Sequence, residues 1–269
     1  MTRRFLCAAA LLLSAGCASA GNQPPASGDG DARRIPPPPT ISNTVWQMTP
    51  FALVAGGATG GVVTVGELRL HGDMGVGAAD TLDGEIAVVG GTFYRFGKSG
   101  NVQIMTDPGD RLPFAVMTQW TPREAGTIRL VDGQRYVAPL LPEADSGLPT
   151  TDAFYALVVT GTWQEVHART YTTVPPGRPV TPADQDTFTI RNVRGIMVGF
   201  REPPYVGPIS VANYHFHFIT TDRTPQRGGH VLSFTAGSDV KIEYSPRPYF
   251  SVYTTPGPRP TAAAPPPSP

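Results

Sequence analysis

The sequence predicts a predominantly β fold of the α+β class, and three observations predict it. Runs of β-branched and aromatic residues, each closed off by Gly, Pro or Asp, recur through the middle of the chain. The 30 Gly and 30 Pro among 269 residues supply turns at a density that leaves little room for long helices. Only one short stretch has helical spacing.

In order, the strand readings are EIAVV from Glu85, TFYRF from Thr92, FAVMTQW from Phe114, FYALVVTGTW from Phe154, IMVGF from Ile196, YHFHFIT from Tyr214 and HVLSF from His230. The helix candidate is VVTVGELRLHG from Val62, in which Val62, Val65 and Leu68 fall on one helical face. Its β-branched residues resist that conformation. No fixed-period repeat is present.

A 40% hydrophobic content is enough for a substantial core, built as one large β unit or as two small halves. Lys plus Arg (21) balances Asp plus Glu (21), so the chain has no basic field for nucleic acid. A small-molecule or protein partner suits that neutrality better.

Residues 1–20 have the form of an export signal: Arg3 and Arg4, the apolar run FLCAAALLLSA, then small residues. LSAGC, ending at Cys17, resembles a lipobox and favours lipidation there, whereas Ala18-Ser19-Ala20 is a site for ordinary signal peptidase. The expected addresses are the periplasm, an outer membrane reached through a lipid anchor on Cys17, or secretion. Cys7 lies inside the signal, so the mature chain keeps at most one cysteine and forms no internal disulfide. Residues 21–42 read as a Pro/Gly-rich tether, 43–255 as the folded domain, and 256–269 as a Pro-rich tail, because the two flanks cannot bury enough apolar surface to offset ordering entropy.

Chemistry concentrates in YHFHFITTDRTPQRGGHVLSF, from Tyr214 to Phe234. In a strand, His215 and His217 share one face while Phe216 and Phe218 take the other. Gly228 and Gly229 permit a turn back, and a hairpin centred on DRTP sets His217 opposite His230. Three neutral imidazoles converging on one point match a three-histidine zinc site with an open position. The plainer reading is a half-buried strand with alternating histidines and His230 in a turn. Elsewhere Asp83-Gly84 makes a turn into Glu85, and Arg169 stands near a strand end. On spacing alone both are ordinary structural positions. His71 and His167 have no partner pattern and read as surface or hydrogen-bonded side chains.

Taken together and in order, these pieces resemble the α-acetolactate decarboxylase family. The resemblance runs through ELRLHGDMGVGAADTLDGEIAVVGGTFYRF, LPFAVMTQW, FYALVVTGTWQEVHART, GIMVGFREPPYVGPISVANYHFHF and TTDRTPQRGGHVLSF. It implies mixed or antiparallel sheets or barrel-like halves, and a zinc ion held by His215, His217 and His230. It also implies that Glu85 and Arg169 line the pocket as catalytic residues, and that 2-acetolactate loses carbon dioxide to give acetoin while zinc stabilises the enediolate. A non-catalytic or re-purposed metal-binding envelope lipoprotein of the same fold is the alternative, and a homodimer is the assembly left open.

The chain departs from the family pattern at several points. The loop between His217 and His230 is longer, and Ala78 and Ala79 replace a threonine and an aromatic. PPGRPV and Ala212-Asn213 replace two proline-containing stretches. The family's later glutamate has no clear counterpart, Glu243 being the only glutamate after His230. Mass spectrometry of the mature N-terminus is expected to find lipid on Cys17; an unmodified chain beginning at Gly21 would refute lipidation and leave export standing.

Overall fold

The computed structural model describes residues 40–122 and 126–254. The export signal, most of the tether and the Pro-rich tail lie outside the described residues. In chain order the strands are β1 (Thr44–Met48), β2 (Val63–Thr64), β3 (Met74–Ala78), β4 (Glu85–Val89), β5 (Thr92–Phe96), β6 (Val102–Met105), β7 (Arg111–Leu112) and β8 (Phe114–Thr118). There follow β9 (Gly126–Arg129), β10 (Arg135–Val137), β11 (Phe154–Tyr171), β12 (Gln185–Glu202), β13 (Asn213–Thr220), β14 (Gly228–Ala236), β15 (Lys241–Arg247) and β16 (Tyr249–Tyr253). Helices are short: α1 (Phe51–Ala55), α2 (Val65–Leu68) and α3 (Pro142–Asp145). Among the described residues none is long and apolar enough to cross a membrane.

Two seven-stranded sheets result. The first runs β16-β1-β8-β3-β4-β5-β6, antiparallel except for the parallel β1/β16 pair. The second runs β10-β14-β13-β12-β11-β15-β9. Its two 18-residue strands, β11 and β12, pair along most of their length. The other edge of β11 is divided: Phe154–Thr160 pairs with β15, and residues from Trp163 to Arg169 pair with β14. Because β14 also pairs with β13, strands β11 to β14 close on themselves, which is the barrel-like half that the family resemblance implied.

Strand alternation explains the core. One side of the second sheet buries Trp163, Phe216, Phe218 and Phe234, with the Trp163 ring edge-on to Phe218 and Phe234 at 5.9 and 5.2 Å. Truncating such a ring to alanine costs about 3–5 kcal/mol. The opposite side carries Val198, Phe200 and Ile219 into a cluster shared with Val45, Val76, Ala87 and Val116 of the first sheet. The site forms in this inter-sheet layer.

All seven strand readings coincide with strands, FAVMTQW running two residues past the end of β8 at Thr118. The helix candidate from Val62 is shorter than expected, because Val63 and Thr64 pair with Leu112 and Arg111 instead. Thr64 and Glu67 then form a capping box that starts α2 at Val65, and a single 3-10 turn, Arg69–His71, follows. The glycine pair also plays a different part. The hairpin tip comprises residues 221–227, and Gly228 and Gly229 already belong to β14. A Cβ on Gly228 would meet the Phe96 ring at 2.4 Å, and one on Gly229 would meet the Arg169 carbonyl oxygen at 2.8 Å. The pair therefore permits close approach of neighbours rather than the turn.

One group in the inter-sheet layer has no use in packing. Glu202, at the end of β12, is fully buried, and neither carboxyl oxygen has a hydrogen-bond partner of normal geometry among the described residues. Gln47 on β1 commits its amide nitrogen to the carbonyls of Thr49 and Ile209, which leaves its own buried oxygen as an unused acceptor. Burial pushes the Glu202 carboxyl up to about 8, with the Ser210 hydroxyl pulling the other way. The unfolded chain releases this proton near 4.5 while the folded protein keeps it to about 8, so the stability Glu202 contributes is full below about 4.5 and is lost as pH rises towards 8. Glu202→Gln is expected to flatten this fall and raise the melting temperature at pH 8; an identical decline in both proteins would show that Glu202 does not cause it.

Candidate metal centre and its pocket

Strand β13 points His215 and His217 towards the first sheet and Phe216 and Phe218 away from it, as alternation requires. His217 stands directly opposite His230 in the β13/β14 ladder, the register expected from the hairpin. Asn213 enters β13 with φ of 65°, a left-handed conformation that asparagine tolerates.

The three rings converge. His215 Nε2 lies 3.2 Å from His217 Nε2, and His230 Nδ1 lies 3.3 Å from the same atom. On the remote side of its ring, His217 Nδ1 is 2.7 Å from the Ile86 carbonyl oxygen in β4. A carbonyl only accepts, so Nδ1 carries the proton and Nε2 presents a lone pair to the cluster. Burial lowers all three imidazoles, with Arg169's charge adding to the effect: His215 is pushed down to about 3, and His217 and His230 lie well below the ordinary histidine value. All three are therefore neutral at physiological pH.

Four-coordinate zinc with nitrogen ligands at about 2.0–2.1 Å places neighbouring nitrogens about 3.3–3.4 Å apart. The two short spacings have that size, and the donor set is wholly neutral nitrogen, so the residues fit one divalent ion. His215 Nδ1 is buried with no partner among the described residues.

Glu85 and Arg169 reach the same place from different sheets. Glu85 opens β4 immediately after Gly84, whose φ of +110° disfavours a side chain and on which a Cβ would meet the Phe96 carbonyl oxygen at 2.8 Å. The Glu85 N–H donates to Thr170 Oγ at 3.2 Å, and Thr170 Oγ donates to the Phe96 carbonyl at 2.6 Å, tying β4 to β11. Arg169 stands opposite His230 in the β11/β14 ladder. Its guanidinium donates to Glu85 Oε1, while Glu85 Oε2 is 3.6 Å from His217 Nε2. Burial raises the Glu85 carboxyl above the ordinary value, and the Arg169 charge and hydrogen bond oppose that rise.

A cavity of about 160 Å³ opens onto these groups. Glu85, Arg169, Tyr171, His215 and His230 form its polar end, and Phe51, Val54, Leu82, Phe114 and Val211 form apolar walls. Ala78, noted as a departure from the family, is part of the wall, whereas Ala79 faces a larger hollow of about 560 Å³ that touches none of the five site residues. Glu243 is elsewhere on β15, its carboxylate 3.4 Å from Lys241 Nζ, and lines neither. His71 packs on Trp46 at 4.9 Å and His167 shares a 3.3 Å hydrogen bond with Thr189, so both have structural surroundings. The wall residues of α1 and Val211 left no signal in the sequence. Tyr171 did leave one, since it lies two residues beyond Arg169 on the same strand face.

Fold and site together define a class: a double-sheet protein whose inter-sheet pocket can hold a divalent cation beside a buried carboxylate–guanidinium pair. Residues 45–255 match the family model for α-acetolactate decarboxylase, and the chain belongs to that family. The α-acetolactate decarboxylase of Brevibacillus brevis is 33% identical over 217 residues, covering 80% of this chain and 74% of that protein. That of Methanosarcina mazei is 35% identical over 230 residues, covering 81% and 77%. The crystal structure of α-acetolactate decarboxylase from Bacillus subtilis strain 168 superposes with a TM-score of 0.68 at 30% identity, covering 78% of this chain and 88% of that one.

His217→Ala is expected to lower metal content and thermal stability together, because an ion that binds only the folded state stabilises it. Stoichiometric zinc retained by the variant, measured by metal analysis, would remove His217 from the ligand set.

Proposed function

We propose that the protein decarboxylates 2-acetolactate to acetoin and carbon dioxide, with one zinc ion held by His215, His217 and His230. The reading rests on three neutral imidazoles whose ligand atoms lie within 4.8 Å of one another, two of the spacings being 3.2 and 3.3 Å, with Arg169 paired to Glu85 beside them. When bound, zinc would supply Lewis-acid stabilisation of the negative charge that develops on the substrate's ketone oxygen.

The chain's own groups account for the rest. 2-Acetolactate is a β-keto acid: the bond between its carboxylate carbon and C2 breaks, carbon dioxide leaves, and C2 takes up one proton. Arg169 spends one N–H on Glu85 and has further donors to direct at the departing carboxylate. Glu85 touches both Arg169 and the histidine cluster, and burial favours its protonated form, so it can deliver the proton to C2 and regain one from solvent. The apolar walls suit the substrate's two methyl groups and limit water around the reacting carbon.

Binding a metal needs neither Glu85 nor Arg169, and their pairing beside the cluster favours the enzyme over a purely metal-binding envelope protein. Purified, zinc-loaded protein is expected to form acetoin from 2-acetolactate; no acetoin from fully loaded protein would favour the metal-binding alternative. Glu85→Gln should lose on the order of 10²-fold or more in kcat. Arg169→Lys should also be costly, because lysine lacks the planar two-point fork. Both variants should keep their zinc. Near-normal turnover by Glu85→Gln would make its place structural.

A further inference from the structure

Tyr171 ends β11 two residues after Arg169, and so presents its ring on the same face. The Arg169 guanidinium carbon lies 4.3 Å from the centre of that ring. The phenol interacts with the side chain of Gln185, its cross-strand partner. Glu85 is the only hydrogen-bond partner of the Arg169 guanidinium among the described residues. The guanidinium therefore has an aromatic ring over it and a carboxylate on one of its donors, and both Arg169 and Tyr171 line the cavity.

We propose that Tyr171 is a positioning residue: its ring face holds the Arg169 guanidinium flat, so that the free N–H edge is already turned towards an incoming substrate carboxylate. The inference rests on the reading of Arg169 as the carboxylate anchor. An arginine side chain loses several rotatable bonds' worth of freedom when it binds an anion, and one immobilised beforehand loses less. The ring's negative face also attracts the cation without competing for its hydrogen-bond donors. The ring rather than the hydroxyl does the positioning, which separates Tyr171 from an acid or base.

The test uses full-length, zinc-loaded protein with 2-acetolactate as substrate and 2-hydroxyisobutyrate, a carboxylate without the ketone, as a calorimetric probe of binding. Tyr171→Leu is expected to raise KM for the substrate and Kd for the probe about tenfold, the size of a desolvated cation–ring contact, with kcat within about threefold and zinc unchanged. Tyr171→Phe keeps the ring and is expected to stay within about twofold of the parent. In an Arg169→Lys background the effect of Tyr171→Leu should largely disappear, because residues acting through one another are not additive. Tyr171→Met, which keeps bulk without a ring face, should repeat the leucine result and replaces it if leucine impairs folding. An unchanged Kd in the ring-less variants, a loss in Tyr171→Phe equal to theirs, or full additivity with Arg169→Lys would overturn the proposal. Ring-dependent probe binding without acetoin formation would instead sink the decarboxylase reading and leave the positioning role intact.

Discussion

Strand β14 hydrogen-bonds along both edges, to β13 on one side and to the second half of β11 on the other, and the site depends on that double engagement. His230 sits opposite His217 in one ladder and opposite Arg169 in the other, so closing the sheet puts two metal-ligand candidates and the guanidinium in one cross-strand row. Side chains opposite each other in a ladder share a face and lie within about 4.5–5.5 Å at Cβ. Had β11 remained paired to β15 throughout its length, Arg169 would have had no route to the histidines. Division of its edge between two partners is the constraint that makes the pocket.

The first sheet then completes what the second begins. The Ile86 carbonyl fixes the tautomer of His217, and the adjacent Glu85 ties down Arg169. Both contacts come from the first two residues of β4, so the placement of one strand start decides the lone-pair direction of a histidine and the orientation of an arginine. Burial supplies the accompanying electrostatics. It keeps the imidazoles neutral and ready for a cation, and it raises the Glu85 carboxyl despite the neighbouring positive charge. A single inter-sheet layer thus holds a cluster of neutral nitrogen donors beside a carboxyl that burial pushes towards its protonated form, at the expense of some uncompensated buried polar groups such as His215 Nδ1.

Much of this was legible from residues close together in the chain. The alternation in YHFHF set two imidazoles on one face, and the hairpin length placed His230 across from His217, because strand period and ladder pairing are local geometry. The seven apolar runs fell on strands for the same reason. The short helix was less legible: its apolar spacing was compatible with a start at Val62, but a two-strand pairing and a capping box fixed the start three residues later. Gly228 and Gly229 showed the converse. Their presence signalled a conformational need, yet only neighbours distant in sequence, Phe96 and Arg169, reveal that the need was space rather than a turn.

The sequence by itself determined the β-rich class, the strand positions and the histidine pair with its returning partner, since each follows from a period or spacing of a few residues. Glu85 and Arg169 were singled out by family resemblance, not by their spacing, which looked ordinary. Only the tertiary structure decided that these two residues, 84 positions apart, form a buried pair beside the cluster, that Tyr171 lies against the arginine, and that α1 and Val211 wall the cavity. The physical reason is that such contacts depend on how one sheet closes and how two sheets face each other, and these are set by burial summed over the whole core, not by any local pattern.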